Sequence, residues 1–234
     1  AILRRDGGRL GLYFLETGAN QRSSNVIYDR SGSAIAAAAP DEYAYDRALD
    51  GVRWVHVTGI TPAVSENAFA ATLELVRRAR AAGAGVSCDL NFRKKLWRWR
   101  DGTEPRELAR TCMPEVLEHV HVVIGNEEDA ADVLAIEAGG TAVDEGRICA
   151  EAYTEVARTI CARFDSVERV AITLRESLSA SHNNWGAMLF DRASDRAVFA
   201  PTDAGGNYRP YEIRNIVDRV GGGDSFGAGL LYAL

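Results

Sequence analysis

The sequence predicts an α/β protein: a mainly parallel central sheet flanked by helices, with a small β lid at its N-terminal end. Three features predict it. Residues 1–35 carry short strand-like runs separated by turn residues. From about residue 41, strand-like and helix-like runs alternate, the pattern of a parallel sheet covered on both faces. Near the other end, Gly221, Gly222 and Gly223 precede a small-residue helical run over Ser225 to Leu234.

In the lid, Arg9 to Glu16 and Ser24 to Arg30 read as strands, with Thr17 to Arg22 as a turn-rich connector. Period-2 alternation sends Val26, Tyr28 and Arg30 to one face. Tyr28 and Arg30 then project together, an aromatic and a guanidinium suited to a polar, anionic small molecule. A solvent-facing pair is the alternative. The edges of such strands need cover, and the lid of a second subunit supplies it, so a homodimer or larger oligomer is expected.

The core follows in order. Pro40 to Leu49 is a short helix and Val52 to Gly59 a strand. Thr61 and Pro62 then form an N-cap and a first-turn proline. Phe69, Leu73 and Val76 recur at helical spacing, giving a helix over 63–82 that Gly83 and Gly85 end. Val86 to Leu90 is a buried strand, and the polar residues beyond it sit where α/β folds bind ligands. Asn91 and Arg93 are better candidates there than Lys94 or Lys95. A further helix covers Glu104 to Leu117, and His121 to Gly125 is a strand. Asn126 caps the next helix, over 127–136, with Asp129 in its first turn. A loop holds Gly139 and Gly140, and Tyr153, Val156, Ile160 and Phe164 mark one helix face. Arg169 to Leu174 is a strand, Ser181 to Gly186 a loop, and 188–190 with 197–200 a strand pair. Tyr211 to Val217 is a last strand leading into the glycines.

Composition limits the function classes. The chain has 234 residues, 47% of them hydrophobic, enough for one sizeable core. A net charge of −6 disfavours sequence-blind nucleic-acid binding, which needs basic surface. No apolar run reaches membrane-spanning length. Cys88, Cys112, Cys149 and Cys161 lack metal-site spacing and read as reduced thiols in a cytoplasmic protein. His56, His119, His121 and His182 form no ligand set on one helix face. The chain begins at Ala1 and ends inside a predicted helix, so it reads as a fragment of a longer polypeptide.

The glycine stretch carries the chemistry. Glycine permits close backbone approach and positive φ. A helix starting there points unpaired N–H groups into the loop, which suits a phosphate. Asp224, at that positive end, is placed to take a proton from a hydroxyl attacking the phosphate. The competing explanation is a common turn with Asp224 as an N-cap. Neither a Walker loop nor a dinucleotide fingerprint matches, because no Gly-Lys-Ser/Thr and no βαβ unit follow.

Asp218-Arg-Val-Gly-Gly-Gly-Asp-Ser-Phe-Gly-Ala-Gly229 resembles the C-terminal signature of the ribokinase-like (PfkB) carbohydrate kinases, with Gly222 for the usual Ala and Arg219 for the usual Thr. Asp89-Leu-Asn-Phe-Arg-Lys-Lys-Leu-Trp97 is similar to a segment of the 2-keto-3-deoxygluconate kinases. Gly11 to Phe14 and Tyr28 to Arg30 resemble that subgroup's lid strands. Asn126 and Asp129 fall where the family keeps Asn-x-x-Glu, a site for metal and phosphate. Thr173, Leu174 and Arg175 resemble a strand end near the nucleotide.

The resemblance implies a ribokinase-like fold, residues 1–35 forming the lid and 36–234 the nucleotide- and substrate-binding core, without the N-terminal strand and the C-terminal continuation of the family. It implies ATP-dependent phosphorylation of a sugar acid. Asp224 is then the general base, and Gly221, Gly222 and Gly223 form the anion hole. Tyr13, Tyr28, Arg30 and Arg93 hold the acid. Asn91, Arg93, Asn126, Thr173, Arg175, Gly221 and Gly223 lie along the nucleotide. Mg2+ bridges the phosphates, with Asp129 as its protein contact, and the family's monovalent-cation site falls near Asp218. Two alternatives stay open: another sugar kinase (for fructose, ribose, 5-keto-2-deoxygluconate or a sugar phosphate), or a non-catalytic relative that binds sugar or nucleotide.

Overall fold

The computed structural model describes residues 4–18, 22, 24–137, 150–218 and 220–234. The loop expected at Gly139 and Gly140, Cys149 and Arg219 lie outside the described residues, as does part of the connector after Thr17.

Strands β1 (Leu12–Glu16) and β2 (Asn25–Asp29) pair antiparallel, Tyr13 opposite Tyr28 and Phe14 opposite Ile27. This two-stranded sheet is separate from the main one. Along β2 the even positions are half-buried and the odd ones exposed, the alternation that the pleat dictates. A short helix α1 (Ala34–Ala37) follows. The helix expected over 40–49 is two pieces, a 3-10 turn at Pro40–Glu42 and α2 (Tyr45–Leu49), because Tyr43 adopts extended backbone between them.

The main sheet has seven strands: β3 (Trp54–Thr58), β4 (Gly85–Asp89), β5 (Val122–Gly125), β6 (Arg169–Ser179), β7 (His182–Asp191), β8 (Arg196–Ala200) and β9 (Tyr211–Arg214). β3 to β6 are mutually parallel, and β7 returns antiparallel, pairing with β6, β8 and β9. The sheet corrects two sequence expectations. Ser181 to Gly186 is the turn and first half of β7 rather than a loop: Asn183 to Gly186 pair with the extended end of β6, which carries the hairpin beyond the parallel strands. The last strand is four residues long and pairs antiparallel.

Helices α4 (Glu66–Ala81), α5 (Pro105–Leu117), α6 (Glu127–Leu134) and α7 (Ala150–Arg163) cover one face. They pack Leu73, Val76, Leu108, Met113, Val133 and Ile160 against Val86, Cys88, Val123 and Val170. The single helix expected over 63–82 is broken. α3 (Ile60–Val64) ends at Ser65, whose extended backbone restarts the chain as the N-cap of α4, its Oγ accepting from Ala68 N–H at 3.0 Å. The periodicity of Phe69, Leu73 and Val76 begins after this cap and does not carry the helix back through it. Cys88, Cys112 and Cys161 are buried free thiols. Among the described residues no helix is long and apolar enough to cross a membrane.

Helix α8 (Gly222–Ala233) lies on the opposite face, Phe226, Leu230 and Leu231 packing on Val122, Ile124 and Ala171. Its N-terminal end brings the three glycines to the carboxyl edge of the parallel strands.

Candidate active site

The carboxyl ends of β3, β4 and β5 and the start of α8 converge, the place where open α/β sheets bind ligands. Gly221 is the N-cap of α8, with φ 79°. Among the described residues no side chain caps this helix, and Asp224 is its third residue and not its cap. A Cβ at Gly222 or Gly223 would meet no atom within 4 Å, so packing does not demand glycine at either position. What the glycines leave bare is the row of first-turn amides, an anion site by dipole and by unpaired donors. Asp224 is exposed at that end. Its charge acts on Asp89 and on His56. Asp218 folds back on its own turn, its Oδ1 accepting from Val220 N–H at 2.9 Å.

The segment after β4 is held from several sides. Leu90 N–H donates to Ile124 C=O at 2.8 Å and Phe92 N–H to Asp129 Oδ1 at 2.8 Å. Gly59 donates to Asp89 C=O at 2.8 Å, and a Cβ there would lie 2.1 Å from the Leu90 carbonyl oxygen. Only glycine admits that approach. Leu96 and Trp97 are buried in the core at the far end. Between these anchors Asn91 is buried in a left-handed conformation, φ 37°, with its Nδ2 donating to Thr58 Oγ1 at 3.4 Å. Such strain at a non-glycine residue persists only where the surroundings over-determine it. Arg93 is exposed, and its charge acts on both Asp89 and Asp129.

Asn126 and Asp129 form a reciprocal capping box. Asn126 Oδ1 accepts from Asp129 N–H at 2.7 Å, and Asp129 Oδ2 accepts from Asn126 N–H at 3.3 Å. Both Asp129 oxygens therefore serve backbone amides, one on each side of the site. Burial raises the Asp129 pKa, while those two amides and Arg93 oppose the rise. Among the described residues no three His, Cys, Asp or Glu side chains are grouped to hold a metal ion. Each Asp129 oxygen keeps a second lone pair beyond the amide it accepts from.

Thr173, on the α8 side of β6, donates from Oγ1 to Gly125 C=O at 3.4 Å, so it joins the group. Arg175 stands farther along the hairpin, opposite Trp185, and is exposed. From the two-stranded sheet, Tyr28 packs against the core cluster, and the Arg30 guanidinium lies 5.4 Å from the centre of its ring. Tyr13, its cross-strand neighbour, is 46% exposed.

Two residues not singled out from the sequence belong here. Asp89 ends β4, and burial, then the Asp129 charge, push its pKa up to about 7, against Arg93 and the Asn91 N–H. The sequence signal is a carboxylate closing a buried apolar strand. His56 shares the α8 side of the sheet, with Nδ1 2.8 Å from Ser87 Oγ. Burial lowers its pKa, and Asp224 opposes that.

Comparison with known proteins accords with this geometry. The chain is 38% identical over 132 residues to a 2-dehydro-3-deoxygalactonokinase of Haloferax volcanii, covering 56% of this chain and 39% of that protein. It is 33% identical over 105 residues to a 2-dehydro-3-deoxygluconokinase of Dickeya dadantii, covering 44% of this chain and 34% of that one. The crystal structure of a 2-dehydro-3-deoxygluconokinase from Thermotoga maritima superposes with a TM-score of 0.82 at 39% identity, over 97% of this chain and 61% of that one. The chain thus spans well under half the length of these curated relatives. The model of the pfkB family carbohydrate kinases matches residues 2–234, and with the glycine-led helix and its Asp224 at the carboxyl edge of a ribokinase-like sheet, this chain belongs to that family.

Proposed function

We propose that the protein transfers the γ-phosphoryl group of ATP to the terminal hydroxyl of a 2-keto-3-deoxy sugar acid such as 2-keto-3-deoxygluconate, giving the 6-phosphate. The observation that carries the reading is Asp224 standing in the first turn of an uncapped, glycine-led helix. In this reading the acceptor hydroxyl lies against Asp224, which takes its proton as the oxygen attacks phosphorus. The bond from the γ-phosphorus to the bridging oxygen breaks, and ADP leaves. The amides at Gly221 to Gly223 hold the charge on the phosphoryl oxygens, so most of the acceleration comes from positioning and fixed dipoles. The nucleotide phosphates would hold magnesium, which would supply charge neutralisation there. Asn91, Asn126, Thr173 and Arg175 line the path of the nucleotide.

The acid's carboxylate goes to Arg93 below and Arg30 above, forked donors that match it, with Tyr28 and Tyr13 meeting its hydroxyls. A coupled ATP assay against 2-keto-3-deoxygluconate, 2-keto-3-deoxygalactonate, gluconate, fructose and ribose tests this. Turnover of the keto-acids is expected to exceed that of the neutral sugars. Arg93→Ala should cost roughly 10- to 100-fold in kcat/KM with the acid, the worth of a hydrogen bond to a charged group, and little with a neutral sugar. Preference for fructose or ribose would reject the acid.

The same reading includes a homodimer formed through the lid. On the face away from the core, β1 and β2 present Leu12, Phe14 and Ile27, exposed by 47%, 57% and 56%. A contiguous apolar patch on an isolated two-stranded sheet needs cover, and a second lid offers a self-complementary surface. Light scattering should give twice the chain mass, and Phe14→Lys should give the monomer. A monomeric wild-type protein at working concentration would reject the dimer.

A further inference from the structure

Besides the packing of Tyr28, a core side chain hydrogen-bonds to β2. Lys95 Nζ donates to Val26 C=O at 2.7 Å and to Asn25 Oδ1 at 3.0 Å. Both acceptors belong to β2, two and three residues before Tyr28. The backbone of Lys95 is fixed by its neighbours: Leu96 and Trp97 are buried, and Leu96 N–H donates to Arg93 C=O at 2.8 Å. At the other end of the same segment Phe92 N–H is held by Asp129. Lys95 is thus a charged donor on an anchored loop, reaching a sheet that, among the described residues, makes no strand pairing with the core.

We propose that Lys95 is a positioning residue that fixes the distance between the lid pair Tyr28–Arg30 and the Arg93 loop, so that both guanidinium groups meet one small anionic substrate. The substrate clause rests on the function proposed above; the tether itself does not. An ammonium has three N–H donors and β2 takes two of them, one through a backbone carbonyl that no side-chain change in the lid can remove. The tie acts on strand position, because a carbonyl on β2 cannot move away from Nζ without Tyr28 and Arg30 moving along the same strand. Hydrogen bonds to a charged donor are strong enough to hold such a position. Lys95 itself touches neither reacting group.

The test uses Lys95→Met, which keeps the stem and removes the donors, and Lys95→Arg, which keeps a charged donor. Amide hydrogen exchange in residues 25–29 of the ligand-free protein reads the tether without any substrate. In Lys95→Met, exchange there should rise about tenfold, the scale of one lost charged hydrogen bond, while exchange in α4 and β4 stays as in the wild type. The KM for the sugar acid should rise about tenfold and more than kcat falls, because the loss is of binding geometry. The KM for ATP should hold, and Lys95→Arg should restore most of the exchange protection. Unchanged exchange over 25–29 in Lys95→Met overturns the tether. Faster exchange with an unchanged KM for the acid overturns its role in positioning. Absence of sugar-acid turnover by the wild-type protein would instead refute the assigned reaction, and the exchange measurement would still decide the tether.

Discussion

Asp224→Asn is expected to lower kcat by about 10²- to 10⁴-fold, the range that a positioned general base contributes. The substitution keeps the shape of the side chain and its place as the third residue of α8. The amide cannot take the acceptor's proton. The first-turn N–H groups remain, so the KM for ATP should change little and binding of the sugar acid should survive. Asp224 lies on an exposed turn and makes no cap, so the folded state should be intact by circular dichroism and by denaturant midpoint. Wild-type turnover in Asp224→Asn would remove this carboxylate as the base. Loss of activity together with loss of folding would be inconsistent with so exposed a position.

Asp89→Asn is expected to stabilise the protein at neutral and higher pH and to leave it nearly unchanged near pH 4. The sign follows from the raised pKa, about 7 in the fold against an ordinary value of 3.8. Below the ordinary value the group is protonated in both states and favours neither. Between the two values the unfolded chain has ionised and the folded one still holds its proton, so stability falls as pH rises. Above the folded pKa the loss is complete, on the order of 4 kcal/mol if the full shift counts. The cause is burial first, then the facing Asp129 carboxylate, with a smaller push from Asp224. Asparagine can still accept from Asn91 N–H and carries no charge. Urea midpoints of both proteins from pH 4 to 8 should diverge as pH rises, and parallel curves would contradict a half-buried, proton-holding Asp89. His56 titrates in the opposite sense, its neutral form favoured by burial, and it cancels in the difference between the two proteins.

Much of the fold and part of the site are legible in the amino-acid sequence. The parallel strands show as short apolar runs such as Val86 to Asp89 and Val122 to Gly125, and the helices between them by their spacing of buried residues. The alternation Val26, Tyr28, Arg30 sets the inner face of the two-stranded sheet, and the Arg30–Tyr28 stack follows from it. Asn126 is readable as a cap because its type and its place after a strand both say so. Where sequence and structure differ, a longer-range contact or a competing local one decides. At Ser65 a local cap sets the start of α4, ahead of the periodic residues Phe69, Leu73 and Val76. Ser181 to Gly186 is polar and glycine-containing, yet pairing with β6 and β9 imposes strand on most of it. Asp89, Asp129 and Lys95 draw their roles from partners distant in the chain or from burial, which composition and spacing do not encode. Gly59 belongs to the same group: its need for a missing Cβ arises from the Leu90 carbonyl that crosses it.

The central claim is that phosphoryl transfer happens at the start of α8. A crystal structure of the protein with a non-hydrolysable ATP analogue and 2-keto-3-deoxygluconate tests it most directly. The account predicts the acid's terminal oxygen within hydrogen-bonding distance of an Asp224 carboxylate oxygen, and the γ-phosphoryl oxygens on the amides of Gly221 to Gly223. A phosphate tail seated away from those glycines, or an acceptor hydroxyl facing another base, would contradict it.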